Sequence, residues 1–123
     1  MSQDPRRTLT RMIEFCESIL AHVARGRSAV DADPVTRGAF EWDFVRLGEA
    51  ANRLRRAHQT RIPSIPWAGI VGLRNAVVHR YDAVDHDVLW TVATRQVPAV
   101  VEELRRLLAA VDHTEPGPEP GPN

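Results

Sequence analysis

From Leu9 onward the apolar positions are Leu9, Met12, Ile13, Cys16, Ile19, Leu20 and Val23. Their i, i+3, i+4, i+7 spacing predicts an amphipathic helix. Gly26, within ARGRS, supplies its C-terminal break. The following SAVDADP reads as a turn-like loop. A second helix then carries Phe40, Phe44, Leu47, Ala51 and Leu54 on one stripe, while Glu41, Asp43, Arg46, Glu49, Arg53 and Arg56 make its other side strongly charged.

RIPSIPW cannot be helical through Pro63 and Pro66, because proline lacks the amide proton and restricts the residue before it. Pro66 suits the first turn of a third helix, WAGIVGLRNAVVHRY. Asp85 reads as the N-cap of a fourth, with Asp87 favourable near its positive end. Leu89, Val92, Ala93, Val97, Val100, Val101, Leu104, Leu108 and Val111 form the buried side of that helix. Pro98 should kink it rather than end it, since the periodicity resumes beyond. After Val111 the chain turns to DHTEPGPEPGPN, which has nothing to bury and is expected to be disordered. No strand-period segment and no internal repeat occurs. The expected architecture is all-α, an antiparallel bundle of four main helices in one domain over 1–112, followed by a tail over 113–123.

Composition narrows the class without deciding the function. A chain of 123 residues builds one modest core, and 43% hydrophobic with 26% charged residues is a soluble globular balance. No apolar run approaches the ~20 residues of a membrane span. MSQDPRRTLTR lacks an apolar signal core, so a cytoplasmic protein without membrane association is expected. Cys16 is the single cysteine, which leaves no disulfide within the chain and no cysteine-based metal site. Sixteen basic residues, all arginine, balance sixteen acidic ones, so no overall basic footprint announces nucleic acid.

The chemistry concentrates in LRNAVVHRYD, residues 73–82. On a helix, Ile70, Leu73 and Val77 face the core, while Ala68, Gly72, Asn75 and His79 form a separate line whose small residues admit the close approach of another helix. Arg74 and His79 stand five apart, about 140° around a straight helix. Either the arginine wraps around to the histidine, or two protomers meet on a twofold axis and pool their residues. Histidine transfers protons in either direction near neutrality. Arginine is a permanent cation whose fork matches phosphate. Asn75, one turn before His79, can hold its ring or donate to phosphate. This set suffices for RNA cleavage without metal or cofactor, although an ordinary helix surface also carries such residues.

RNAVVHRY fits the R-x4-H-x-Y motif, and the chain here resembles the HepT-like toxins of the HEPN superfamily of helical RNases. FVRLGEAANRL is similar to that family's second helix. The stretch IPSIPWAGIVGLRNAVVHRYDAVDHDVLW is similar to its motif region, and VPAVVEELRRLL to its last helix. The resemblance covers roughly residues 9–108. It implies a HEPN-type bundle, a homodimer with a composite active site, and a metal-independent endoribonuclease with Arg74 and His79 catalytic and no cofactor. It further implies the toxin of a type VII-like toxin–antitoxin pair. The partner would be a minimal (MNT-type) nucleotidyltransferase antitoxin that transfers AMP to Tyr81, the chain's only tyrosine.

Arg46, Arg53, Arg56, Arg74 and Arg80 could form a local basic patch for RNA phosphate, with Glu49 a candidate partner of Arg74 or Arg46. The same charges would serve equally as a solvated face. A His79–Asp82–His86 metal site has no recognised ligand spacing and is disfavoured. Trp42, Trp67 and Trp90 read as core or interface anchors rather than base-stacking platforms. His22, His58 and His113 receive no role. The competing function is a catalytically inactive HEPN binding module that partners a nucleotidyltransferase and accepts its AMP. Only the enzyme requires proton transfer by His79.

Overall fold

The computed structural model describes residues 4–58 and 85–113. Within them are five helices: α1 (Pro5–Arg25), α2 (Arg27–Ala32), α3 (Pro34–His58), α4 (His86–Arg95) and α5 (Val97–His113). The described residues are helical throughout apart from single junction residues, in agreement with the all-α expectation. The expected third helix and the tail from residue 114 onward lie outside the described residues.

Helix α1 is the centre of the packing, lying against α3 on one side and α5 on the other. It starts where Asp4 accepts the Arg6 amide at 3.0 Å, with Pro5 in the first turn, where its missing N–H costs nothing. Leu9, Met12, Ile13, Cys16 and Ile19 are buried along the stripe that the spacing predicts. They meet Phe40, Phe44, Leu47, Ala51 and Leu54 of α3, and Val97, Val100, Val101 and Leu104 of α5. Each large side chain so enclosed contributes about 1.5–3 kcal/mol. Outside this core, Arg105 of α5 bridges Glu17 of α1 at 2.9 Å and Glu102 at 2.8 Å.

Two local expectations are corrected. SAVDADP is no loop. Gly26, at φ 94°, ψ 148°, closes α1 by donating to the Val23 carbonyl at 2.9 Å, and a new helix restarts at once. That helix, α2, is anchored by Val30, 1% exposed. Arg27 fastens it further, pairing with Asp31 one turn on and with Asp87 of α4. The start of α3, which the spacing left open, falls at Pro34, where Asp33 accepts both the Val35 amide at 3.2 Å and the Thr36 hydroxyl at 2.7 Å. Those two bonds hold its carboxyl below the usual range, the hydroxyl contributing most. Finally, Pro98 does more than kink one helix: the helical run is interrupted at Gln96. Proline cannot donate to the carbonyl one turn back, so α4 closes with Gln96 N–H on Val92 (2.8 Å) and α5 resumes with Val100 N–H on Gln96 (3.0 Å). The apolar register survives the break, and for that reason periodicity alone could not reveal it.

Two tests of this core follow. Gly26 alone among the described residues has positive φ, and a Cβ there would meet nothing within 4 Å. Gly26→Ala is therefore expected to destabilise by about 1–3 kcal/mol through backbone strain alone, read as a lower urea midpoint. Cys16 is buried, and burial pushes its thiol up to about 12, against a smaller lowering by Arg105. A thiol reagent at pH 8 should leave the native protein unmodified and label one group after denaturation. The raised folded value means that the thiol's contribution to stability is complete below pH 9.0 and is lost progressively as pH rises towards 12.

Candidate functional site

Arg74, Asn75, His79, Arg80 and Tyr81 lie outside the described residues, as do Asp82 and Trp67. What the structure supplies is α3, which carries the remaining candidates. At about 100° per residue, Trp42, Arg46, Glu49, Arg53 and Arg56 fall on one line of that helix, at i, i+4, i+7, i+11 and i+14. All five are exposed, Trp42 at 55%. Of the two places expected for Trp42, core or interface, its exposure excludes the core. Trp90 does pack inward, against Phe40 at 5.7 Å between ring centres.

Arg46 is fixed in place. One of its terminal nitrogens donates to Asp43 Oδ1 at 3.1 Å, and its guanidinium lies 5.1 Å from the centre of the Phe15 ring. It still keeps about half of its side chain exposed, at 48%. The structure pairs it with Asp43, three residues back. Arg74, the other expected partner of Glu49, is outside the described residues.

Asp43 was expected on the charged outer side of α3, yet it is 2% exposed and is the buried charged residue of the described core. Its angular position explains this: it stands only about 60° from Phe40, at the edge of the apolar stripe, whereas Arg46 stands about 120° away. The cost of burial is offset by three neighbours. Ser18 donates to Oδ2 at 2.6 Å, Arg46 donates to Oδ1, and His22 Nδ1 lies 3.7 Å from Oδ2. His22 Nδ1 also lies 2.9 Å from the Ser18 carbonyl, an acceptor only, so that nitrogen carries a proton. Sequence reasoning assigned nothing to His22 or Ser18. The signal was present in their one-turn spacing on α1 and in the angular place of Asp43 on α3. No buried side-chain nitrogen or oxygen among the described residues lacks a partner.

His86, one member of the disfavoured metal triad, faces Glu41 with Nδ1 3.2 Å from Oε2. Among the described residues no group of three His, Cys, Asp or Glu side chains is placed to hold a metal ion. None of the described helices is long and apolar enough to cross a membrane.

All described elements are helices, and the capped α4 follows the region bearing arginine, asparagine, histidine and tyrosine, an arrangement consistent with an all-α HEPN-type bundle. Residues 7–107 match the family described as Ribonuclease HepT-like, and the chain belongs to that family. It is 27% identical over 106 residues to a candidate RNase of Caldanaerobacter subterraneus subsp. tengcongensis, covering 85% of this chain and 94% of that protein. A candidate RNase of Methanocaldococcus jannaschii is 33% identical over 58 residues, 47% of this chain and 53% of its own length. A candidate ribonuclease HepT of Thermococcus cleftensis is 28% identical over 61 residues, 50% and 56% of the two chains. No solved structure shows a significant match.

Proposed function

We propose that this chain is a metal-independent endoribonuclease, acting as the toxin of a type VII-like toxin–antitoxin pair. The observation that carries the reading is R-x4-H-x-Y, Arg74 to Tyr81, inside the span matched by a ribonuclease family. His79 takes the proton of a ribose 2′-hydroxyl, whose oxygen attacks the adjacent phosphorus. The bond from phosphorus to the 5′-oxygen breaks, and that oxygen takes up a proton. The products are a 2′,3′-cyclic phosphate and a 5′-hydroxyl end. Arg74 stabilises charge on the phosphoryl oxygens, and Asn75 holds the His79 ring or donates to phosphate. Glu49 orients Arg74, while Arg46, Arg53 and Arg80 contact the RNA backbone. No metal or cofactor takes part.

The 140° between Arg74 and His79 on a helix favours a homodimer whose protomers pool these residues across a cleft. Regulation follows from Tyr81. A partner nucleotidyltransferase attaches AMP to its hydroxyl, and the added bulk and negative charge compete with RNA phosphate for Arg74. The test is RNA cleavage in excess EDTA by the parent and by His79→Ala, both expressed without the nucleotidyltransferase. Intact mass must show Tyr81 unmodified. Cleavage by the parent alone, leaving cyclic phosphate ends, supports the enzyme. Equal behaviour of the two proteins transfers the role to a binding module that accepts AMP.

A further inference from the structure

The exposed line on α3 has a composition that its packing does not explain. A tryptophan 55% exposed stands one turn before Arg46, with Arg53 and Arg56 further along the same line. Arg46 is held by Asp43 and the Phe15 ring with half of its side chain open to solvent. Neither Arg53 nor Arg56 forms an ion pair among the described residues. The neighbouring Arg55, by contrast, is turned away and donates to Asn52 at 3.1 Å. Three arginines stand with Glu49 on this line and with the buried Asp43 that pairs Arg46, which leaves an excess of positive charge on a chain whose overall formal charge is zero. The positive charge is therefore local to this line.

We infer that the Trp42–Arg46–Arg53–Arg56 line is a binding track for single-stranded RNA, with Trp42 as its base-stacking platform. The inference rests on the ribonuclease reading and adds a site to it. An aromatic face accepts any base, and arginine forks take the phosphates that follow. From residue 42 to residue 56 the helix rises ~21 Å, comparable with the smallest single-strand footprints of about 4 nucleotides. Arg46 is suited to the position beside Trp42, because its guanidinium is already oriented and loses little freedom on binding. The alternative occupant is a second copy of the chain. On a twofold axis the same surface would face itself and bring arginine-rich lines together, which is unfavourable. RNA has the opposite charge and meets no such penalty.

The experiment uses the full-length protein carrying His79→Ala, so that bound RNA survives, in EDTA. A labelled single-stranded RNA of mixed sequence and about 12 nucleotides is titrated by fluorescence anisotropy. Trp42→Ala is expected to weaken binding by about 5- to 100-fold, whereas Trp42→Phe retains most of the affinity. Replacing Arg53 and Arg56 by Gln should make the plot of log K against log salt shallower by about 0.7 per lost phosphate contact. Trp42 is exposed, so its variants fold, and circular dichroism verifies this. Unchanged affinity and salt slope in these variants, while the protein with His79 intact still cleaves RNA, overturns the track and spares the ribonuclease. Absence of any RNA binding or cleavage by the unsubstituted protein overturns both. A Trp42→Ala protein that sediments as a smaller species assigns the line to a contact between copies and overturns the track.

Discussion

Replacing His79 by Ala is expected to lower the rate of RNA cleavage by about 10²–10⁴-fold, the usual worth of a positioned general acid or base. The loss should fall on kcat rather than on RNA affinity. On the proposed mechanism the imidazole acts only on the proton being transferred, while Arg46, Arg53 and Arg80 hold the phosphates in ground and transition state alike. A parallel measurement of RNA binding separates the two, since a variant that binds normally and cleaves slowly has lost a reacting group. Tyr81→Phe supplies the complementary result. It should keep most of the cleavage and refuse AMP, because only the hydroxyl is lost. An inactive His79→Ala with weakened binding would instead indicate a positioning role. If Tyr81→Phe still gained an adenylate, the modification would have to be moved to another side chain.

Helices α1, α3 and α4 were legible in the sequence for a plain reason: each buries one stripe against a single core, so burial and period 3.6 coincide. Asp85 was legible as a cap because a cap is a local event, and its carboxylate does accept the amides of Asp87 and Val88 at 3.0 and 3.2 Å. The two misread junctions, at α2 and at Gln96, depend on something longer in range. Six residues form α2 only because Val30 finds the core and Arg27 finds Asp87 on another helix. The break at Gln96 keeps the apolar register and so leaves no mark on the pattern.

The candidate site divides differently. Residue chemistry and the R-x4-H-x-Y resemblance carried Arg74, His79 and Tyr81 from the sequence, and the family match over residues 7–107 spans all three. Charge alone misplaced Asp43, because a carboxylate at the margin of a stripe is read as surface unless its partners are known. Ser18 and His22 are those partners, and they lie 25 and 21 positions away on another helix. Trp42, a large aromatic, was read as a core or interface anchor, and its place on the helix, about 160° from Phe40, leaves it exposed and excludes the core.

Asp43→Ala is expected to destabilise the protein by about 2–4 kcal/mol in urea unfolding. Removing one member of a buried charged group typically costs about 3–5 kcal/mol. Here the figure is reduced because Arg46 is half exposed and regains water when its acceptor disappears. Ser18 has less relief: its hydroxyl sits in a part-buried contact and loses a 2.6 Å bond, and the missing carboxylate leaves a void where a buried side chain stood. Asp43→Asn discriminates between charge and hydrogen bonding. Its carbonyl can replace Oδ1 as the acceptor for Arg46, and its amide can donate to Ser18, whose hydroxyl turns to accept. The Asn protein should therefore recover at least half of the loss, with the remainder measuring the charge that faces Arg46 and His22. If Asn proved as damaging as Ala, the ionised carboxylate itself would be the stabilising element. If Ala changed stability by less than about 0.5 kcal/mol, the surface-like range, the burial of Asp43 would have no energetic consequence. The orientation of Arg46 would then have to be maintained by the Phe15 ring alone.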